Sequence, residues 1–161
     1  MPGLPPLGPR GEGWVVIQGL LLAIVASTGW FLPFGSDATL PPVAVSAGTV
    51  LIVGGALLVV TGITALTSHD AFTALPRPRD AARLVDDGPY GLVRHPVYGG
   101  LILAGLGWAV ARGSAAALLA AIVLFVFFDL KRRREEAWLV ERFPGYAAYR
   151  ARTRRLIPWV Y

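Results

Sequence analysis

Apolar residues fall along this chain in four blocks, and the lengths of the blocks and of the polar stretches between them predict the elements. From Trp14 to Phe34 only Gln18, Ser27 and Thr28 interrupt the run. About 20 residues rising ~1.5 Å each cross the hydrocarbon of a bilayer as a helix. Gly35 to Pro42 is a short turn with Asp37 as its only charge, and Val43 to Leu66 predicts a second span. Glycines at 48, 54, 55 and 62 would let a neighbouring backbone approach that span, although membrane helices also tolerate glycine without such a role. Thr67 to Val97 is polar, with Pro76, Pro78, Pro89, Arg77, Arg79, Arg83 and Arg94. Tyr98–Ala111 and Ala115–Phe128 then flank Arg112-Gly113-Ser114 and predict a helical hairpin turning at Gly113. Each arm is short for a span and reaches the headgroup zone by extending at its ends.

The predicted fold class is an all-α integral membrane protein with four transmembrane helices, including a C-terminal helical hairpin, and a cytoplasmic C-terminal helical segment. Residues 1–12, with four prolines and three glycines, read as a flexible lead-in. Residues 13–161 read as a single domain. A cleaved signal peptide fits the first block less well, because only Arg10 precedes it and no small-x-small cleavage site follows.

Composition supports a bilayer as solvent: 55% of residues are hydrophobic, 16% are charged and mean hydropathy is +0.57. A soluble domain of this length is not so apolar. Cysteine is absent, which removes disulfides, thiolate metal sites and a cysteine nucleophile. His69 and His95 share one loop without the spacing of paired ligands, so no metal site is expected. No serine nucleophile motif and no glycine-rich phosphate loop after a strand is present. The net charge of +5 comes from bases flanking the spans, which suits anionic lipid headgroups rather than nucleic acid. Lys and Arg number one before the first block, none in the first turn, four in the long loop, one at the hairpin turn and nine after Asp129. This alternation predicts that both termini and the long loop are cytoplasmic, and the Ala, Gly and Arg richness points to a GC-rich genome and so to a bacterial inner membrane.

Two polar clusters then share that face, and ionisable groups gathered at a membrane are functional by default. The first comprises Gly88-Pro89-Tyr90, Arg94-His95-Pro96-Val97-Tyr98 and Gly100; the second is Glu135-Glu136. Pro96 suits the first turn of a helix, which places His95 just ahead of it and Tyr98 inside it. The free N–H groups there favour an anion such as a carboxylate. His95 could equally cap the helix, and Tyr98 could anchor at the interface. The fourth helix should continue until Pro144, pairing Lys131 with Glu135 and Arg132 with Glu136 at i,i+4. That stretch reads either as a solvated helix end on lipid phosphates or as a site where a glutamate holds a cationic amine. Trp138, Leu139 and Phe143 suggest a helix lying back on the membrane surface. Tyr146, Tyr149 and Trp159 suit the interface, and Arg150, Arg152, Arg154 and Arg155 would face headgroups, Arg152 alternatively gating a substrate.

In order and spacing, Leu84-Val85, Gly88-Pro89-Tyr90, Arg94-His95-Pro96-x-Tyr98-x-Gly100, an apolar hairpin, Glu135-Glu136, Phe143, Tyr146, Tyr149 and Pro158 resemble the isoprenylcysteine carboxyl methyltransferase family. The resemblance covers roughly residues 82–158, and the phospholipid N-methyltransferases share the same core. It implies S-adenosylmethionine-dependent methyl transfer to a lipophilic small molecule or lipid drawn from the bilayer, without a Rossmann domain. It also implies that Leu84, Val85, Tyr90, His95, Pro96, Val97 and Tyr98 surround the cofactor, with Glu135 on its methionine amine and Glu136 behind. Lys131 falls where the family has an arginine for the substrate carboxylate; lysine brings a point charge without the bidentate fork. Arg132 could substitute under a register shift, and Arg152 is a third candidate for the acceptor. Carboxylate O-methylation needs no general base, whereas an amine acceptor would need one, with His95 or a glutamate available. Two rivals remain. A sterol-type reductase using NADPH would carry an Asp-Glu-x-x-Cys arrangement and more spans, both absent here; a non-catalytic membrane scaffold or sensor would bind lipid or a partner through the basic tail.

Overall fold

The α-helices of this chain begin and end at residues that punctuate helices for local reasons. The computed structural model describes residues 4–32, 40–77 and 83–157. Among these it has α1 (Glu12–Phe31), α2 (Pro42–Ser68), a 3-10 turn (Gly88–Gly91), α3 (Pro96–Arg112), α4 (Ala115–Arg142) and α5 (Tyr146–Arg152). Pro42 and Pro96 stand at helix starts, where a missing N–H costs nothing. Gly113 closes α3 in the left-handed region at φ 56, which an L side chain resists. Ser114 then caps α4 by accepting from the Ala117 N–H at 3.1 Å, and its hydroxyl donates to the Leu32 carbonyl at 2.6 Å. The hairpin turn is thereby tied to the end of α1. Phe34, Asp37, Pro78, Arg79, Pro158 and Trp159 lie outside the described residues.

Two helices, α1 and α2, are long and apolar enough to cross a membrane. Their large apolar side chains point outward, among them Leu20, Trp30 and Phe31 on α1 and Val50, Leu57 and Val60 on α2; Leu119, Ile122 and Val126 do the same on α4. Apolar surface on this scale is stable against lipid and not against water. The expected packing face of α2 is real at three of its four glycines. Gly48, Gly55 and Gly62 are buried at seven-residue spacing, which returns each to nearly the same side of the helix. A Cβ on Gly48 would sit 2.6 Å from the Gly107 carbonyl oxygen of α3, whereas one on Gly54 would meet open space. The α2 and α3 backbones therefore run in contact.

The core joins Trp14 of α1, Ile102 of α3 and Leu124, Phe127 and Phe128 of α4 to Leu156 from beyond α5. Leu156 is there because the last residues fold back. Val93 and Arg154 form a parallel bridge, with Arg94 N–H donating to the Arg154 carbonyl at 2.9 Å and His95 N–H to that of Arg155 at 3.1 Å. This corrects the expected placement of the C-terminal aromatics. Tyr146 and Tyr149 are buried, not interfacial, and Tyr149 donates to the Tyr90 carbonyl at 2.9 Å. The physical reason is that α5 packs on α4 and reaches the 3-10 turn through Tyr149, where burial in protein suits the same side chains that an interface would.

Candidate functional site

A cavity of about 320 Å³ opens where α1, α2, the 83–98 segment, α4 and α5 meet. His95 precedes α3 and makes no capping bond. Its Nε2 instead faces Glu136 Oε1 at 3.2 Å, and its Nδ1 lies 3.7 Å from Glu135 Oε2. One helical turn on, Tyr98 stacks on the His95 ring at 5.4 Å and donates to Glu135 Oε2 at 2.8 Å. Both open alternatives for these residues thus resolve the same way: each side chain engages the acidic pair.

Adjacent residues on a helix diverge by about 100°, and the two glutamates use that divergence. Glu135 lines the cavity. Glu136 turns to a buried cluster, taking Arg94 Nε at 3.0 Å, with Arg132 Nη1 at 3.7 Å and Arg150 Nε at 3.8 Å. Burial alone would raise the Glu136 carboxyl, but the hydrogen bonds and charges of His95 and Arg94 outweigh it and hold the group down at about 2. Arg94 also donates to the Thr153 and Arg150 carbonyls, at 2.5 and 3.1 Å. The cluster therefore fastens the C-terminal segment over the start of α3.

The solvated helix end expected at Lys131 to Glu136 is not what forms. Lys131, Arg132 and Glu136 are 1%, 4% and 5% exposed, because α1 and the chain folded back from α5 cover them. Lys131 lies beyond the apolar part of α4 (115–128) and donates from Nζ to Gln18 Oε1 of α1 at 2.5 Å and to the Ala74 carbonyl at 3.3 Å. Burial draws its ammonium down to about 8, against the opposing pull of Glu135. Burial also raises the phenols of Tyr90, Tyr146 and Tyr149, so all three stay protonated.

Of the residues singled out from sequence, Leu84, Val85, Tyr90, His95, Val97, Tyr98, Lys131 and Glu135 line the cavity. Pro96 is buried at the foot of α3, and Glu136 stands behind Glu135. Arg132 lies off the cavity wall, donating to Asp129 Oδ1 from Nε at 2.8 Å. Arg152 is exposed and pairs with Asp86. Leu139 and Phe143, expected on the membrane surface, line the cavity. Sequence reasoning missed Gln18 and the α2 wall of Val59, Ile63 and Leu66, and it named Arg94, Tyr146 and Tyr149 without giving them a place in a cofactor or acceptor site. Gln18 carried a signal, a lone amide inside an apolar run. The α2 wall carried none, since an apolar side chain facing a cavity and one facing lipid look alike in sequence.

The family described as phospholipid methyltransferase matches residues 43–145. The chain is also 39% identical over 79 residues to a protein-S-isoprenylcysteine O-methyltransferase of Schizosaccharomyces pombe (strain 972 / ATCC 24843), a match covering 48% of this chain and 34% of that protein. The chain thus spans about a third of the length of that curated relative. The match to the family takes in α2 but for its first residue, all of α3 and α4 and both polar clusters, and with the outward apolar faces of α1 and α2 it makes this an integral membrane protein belonging to the phospholipid methyltransferase family, whose members use S-adenosylmethionine.

Proposed function

We propose that this chain transfers a methyl group from S-adenosylmethionine to a lipophilic small molecule or lipid, with a carboxylate oxygen favoured over an amine as acceptor. The observation that carries this reading is Glu135 held by Tyr98 and His95 on the wall of a cavity that is also lined by apolar side chains of α1 and α2. The cavity suits the cofactor on two counts. Glu135 presents a carboxylate suited to an ammonium, and the buried Tyr146 hydroxyl on the same cavity has no hydrogen-bond partner among the described residues.

Glu135 would hold the methionine amine of the cofactor, with Tyr98 and His95 fixing its rotamer and Glu136 fixing His95. Leu84, Val85, Tyr90 and Val97 would enclose the cofactor, and Pro96 sets the start of the helix that carries Val97 and Tyr98 to it. When bound, S-adenosylmethionine supplies an electrophilic methyl on a sulfonium, so the protein's task is to align the acceptor and exclude water. Lys131 lines the same cavity and is the group placed to hold an acceptor carboxylate, which needs no base to react. Arg132 and Arg152, turned onto Asp129 and Asp86, hold the walls and do not touch the acceptor. In this reading residues 13–161 form one domain with four spans: α1, α2, α3 and the first half of α4. Both termini and the long loop are cytoplasmic, in a bacterial inner membrane, with exposed tail arginines on anionic headgroups.

The test is calorimetric binding of S-adenosylhomocysteine to detergent-solubilised protein. Glu135→Ala and His95→Ala should each weaken binding about tenfold or more, the scale of a lost charge-assisted hydrogen bond, while Arg152→Gln should stay near wild type. Folded wild-type protein that does not bind would end the proposal.

A further inference from the structure

We infer that Gln18 of α1 is the second limb of an anion clamp with Lys131, and that this clamp recognises the carboxylate head of an acceptor whose chain lies in the seam between α1 and α2. The inference rests on the methyltransferase reading above and adds to it a residue outside the stretch matched by the family, which begins at residue 43.

The donor arithmetic is the core of the argument. An ammonium has three N–H donors and no acceptor, so the atom of Gln18 lying 2.5 Å from Lys131 Nζ is its carbonyl oxygen. The carboxamide N–H₂ is then directed elsewhere, and among the described residues it has no hydrogen-bond partner. Lys131 directs a second N–H to the Ala74 carbonyl at 3.3 Å and lies 5.0 Å above the Tyr98 ring, which leaves its third donor available. Both residues line the cavity. Lysine lacks the planar fork with which arginine grips a carboxylate through two parallel bonds. A lysine N–H beside a carboxamide N–H restores two donors, one charged and one neutral, from two different helices.

The surroundings favour an anion with an apolar tail. Glu135, the carboxylate sharing the cavity, is engaged by Tyr98, and Arg94, the buried guanidinium on the same wall, is committed to Glu136 and the Arg150 and Thr153 carbonyls. The clamp is bordered by Leu22 of α1, by Val59, Ile63 and Leu66 of α2 and by Leu101 of α3. α1 packs on α4 and α3, and α2 packs on α3, but α1 and α2 share almost no contact. An alkyl chain can therefore lie between them with its far end in the bilayer. A lone glutamine in a spanning helix is costly to bury, and recognition of an acceptor accounts for its place.

Dodecanoate, dodecanol and dodecylamine share one chain and differ at the head. Each is titrated into the protein in neutral maltoside detergent containing saturating S-adenosylhomocysteine, with thermal unfolding read by tryptophan fluorescence. Dodecanoate should stabilise the wild type most. Gln18→Leu should weaken its apparent affinity about tenfold, and Gln18→Glu, which places a carboxylate on Lys131, should abolish the stabilisation; dodecanol should respond to neither change. Binding of S-adenosylhomocysteine is measured on the same samples and should change less than about twofold. Equal dodecanoate affinity in wild type and Gln18→Leu, a preference for dodecylamine, loss of dodecanoate binding in Arg83→Gln instead, or loss of S-adenosylhomocysteine binding in Gln18→Leu would each overturn the clamp. Failure of the wild type to bind S-adenosylhomocysteine while dodecanoate still binds through Gln18 would instead refute the methyltransferase reading and leave the clamp standing.

Discussion

Replacing Gly99 by alanine should release the C-terminal segment from the site. Gly99 lies in the first turn of α3, and a Cβ there would overlap the Leu156 carbonyl oxygen and lie 2.9 Å from its carbon. Both are backbone atoms of a segment fixed by three backbone hydrogen bonds: Arg94 to Arg154, His95 to Arg155 and Arg154 to Leu92. If the segment lifts, those bonds go at about 1 kcal/mol each. The fully buried Leu156 is exposed at a further cost of about 2 kcal/mol. Alanine's better helix propensity returns about 1 kcal/mol, so a tail forced open by the overlap costs the folded protein on the order of 4 kcal/mol. Tyr146 and Tyr149 are carried by the same segment, so the cavity loses a wall with it. Limited trypsin digestion with mass spectrometry should show faster cleavage at Arg150 to Arg155 in Gly99→Ala, and S-adenosylhomocysteine should bind more weakly. Gly54→Ala, which adds its methyl to open space, should match wild type in both assays. A protected tail and unchanged binding in Gly99→Ala would refute the latch.

Two pH dependences follow from the buried charges. Glu136 is held at about 2 against an ordinary 4.5, so its contribution to stability is complete above pH 4.5 and disappears as pH falls from there through about 2. That contribution is on the order of 3 kcal/mol; unfolding followed across this window should show the loss in wild type and not in Glu136→Gln, and parallel curves would rule it out. Lys131, at about 8 against an ordinary 10.5, gives a slope of the same sign, since its lowered value makes stability rise between pH 8 and 10.5. Dodecanoate affinity should meanwhile fall as pH rises through about 8, and Lys131→Arg should remove that decline; a decline that persists in the arginine variant would assign it to another group.

Much of this fold is legible because membrane helices are written as unbroken apolar runs with local punctuation. Pro96 and Gly113 bound α3 where the sequence suggests, and α4 runs on to Arg142, just short of Pro144. The first run ends sooner than expected, at Phe31, because the polar tie from Ser114 to Leu32 closes α1 there. The cavity side chains His95, Tyr98 and Glu135 are legible as an ordered motif. The tie between the clusters is not: Arg94 stands in the first polar cluster, but its partner Glu136 lies 42 residues away and is fixed only by packing. Nor is the burial of Tyr146 and Tyr149, since lipid interfaces and protein interiors select the same aromatic residues. Gln18 shows that a polar residue stands inside a span, but its partner on α4, 113 residues later, is fixed only by packing.

The meeting of Glu135 with Tyr98 follows from helix direction as well as helix length. Counting from the hairpin turn at Gly113, Tyr98 lies about 22 Å down α3 and Glu135 about 33 Å down α4, at ~1.5 Å per residue. Straight side chains would miss one another by more than 10 Å of axial offset. Helical side chains lean toward the N-terminus of their own helix, however, and α3 and α4 run antiparallel. Tyr98 therefore leans outward past the start of α3, while Glu135 leans back toward the turn, and the two close to a 2.8 Å hydrogen bond. Lys131, one turn nearer the hairpin, comes level with the Tyr98 ring at 5.0 Å and reaches Gln18 of α1. The overrun of α4 beyond its apolar stretch thus sets two opposite charges on the cavity wall at once, the Glu135 carboxylate and, one helical turn nearer the hairpin, the Lys131 ammonium.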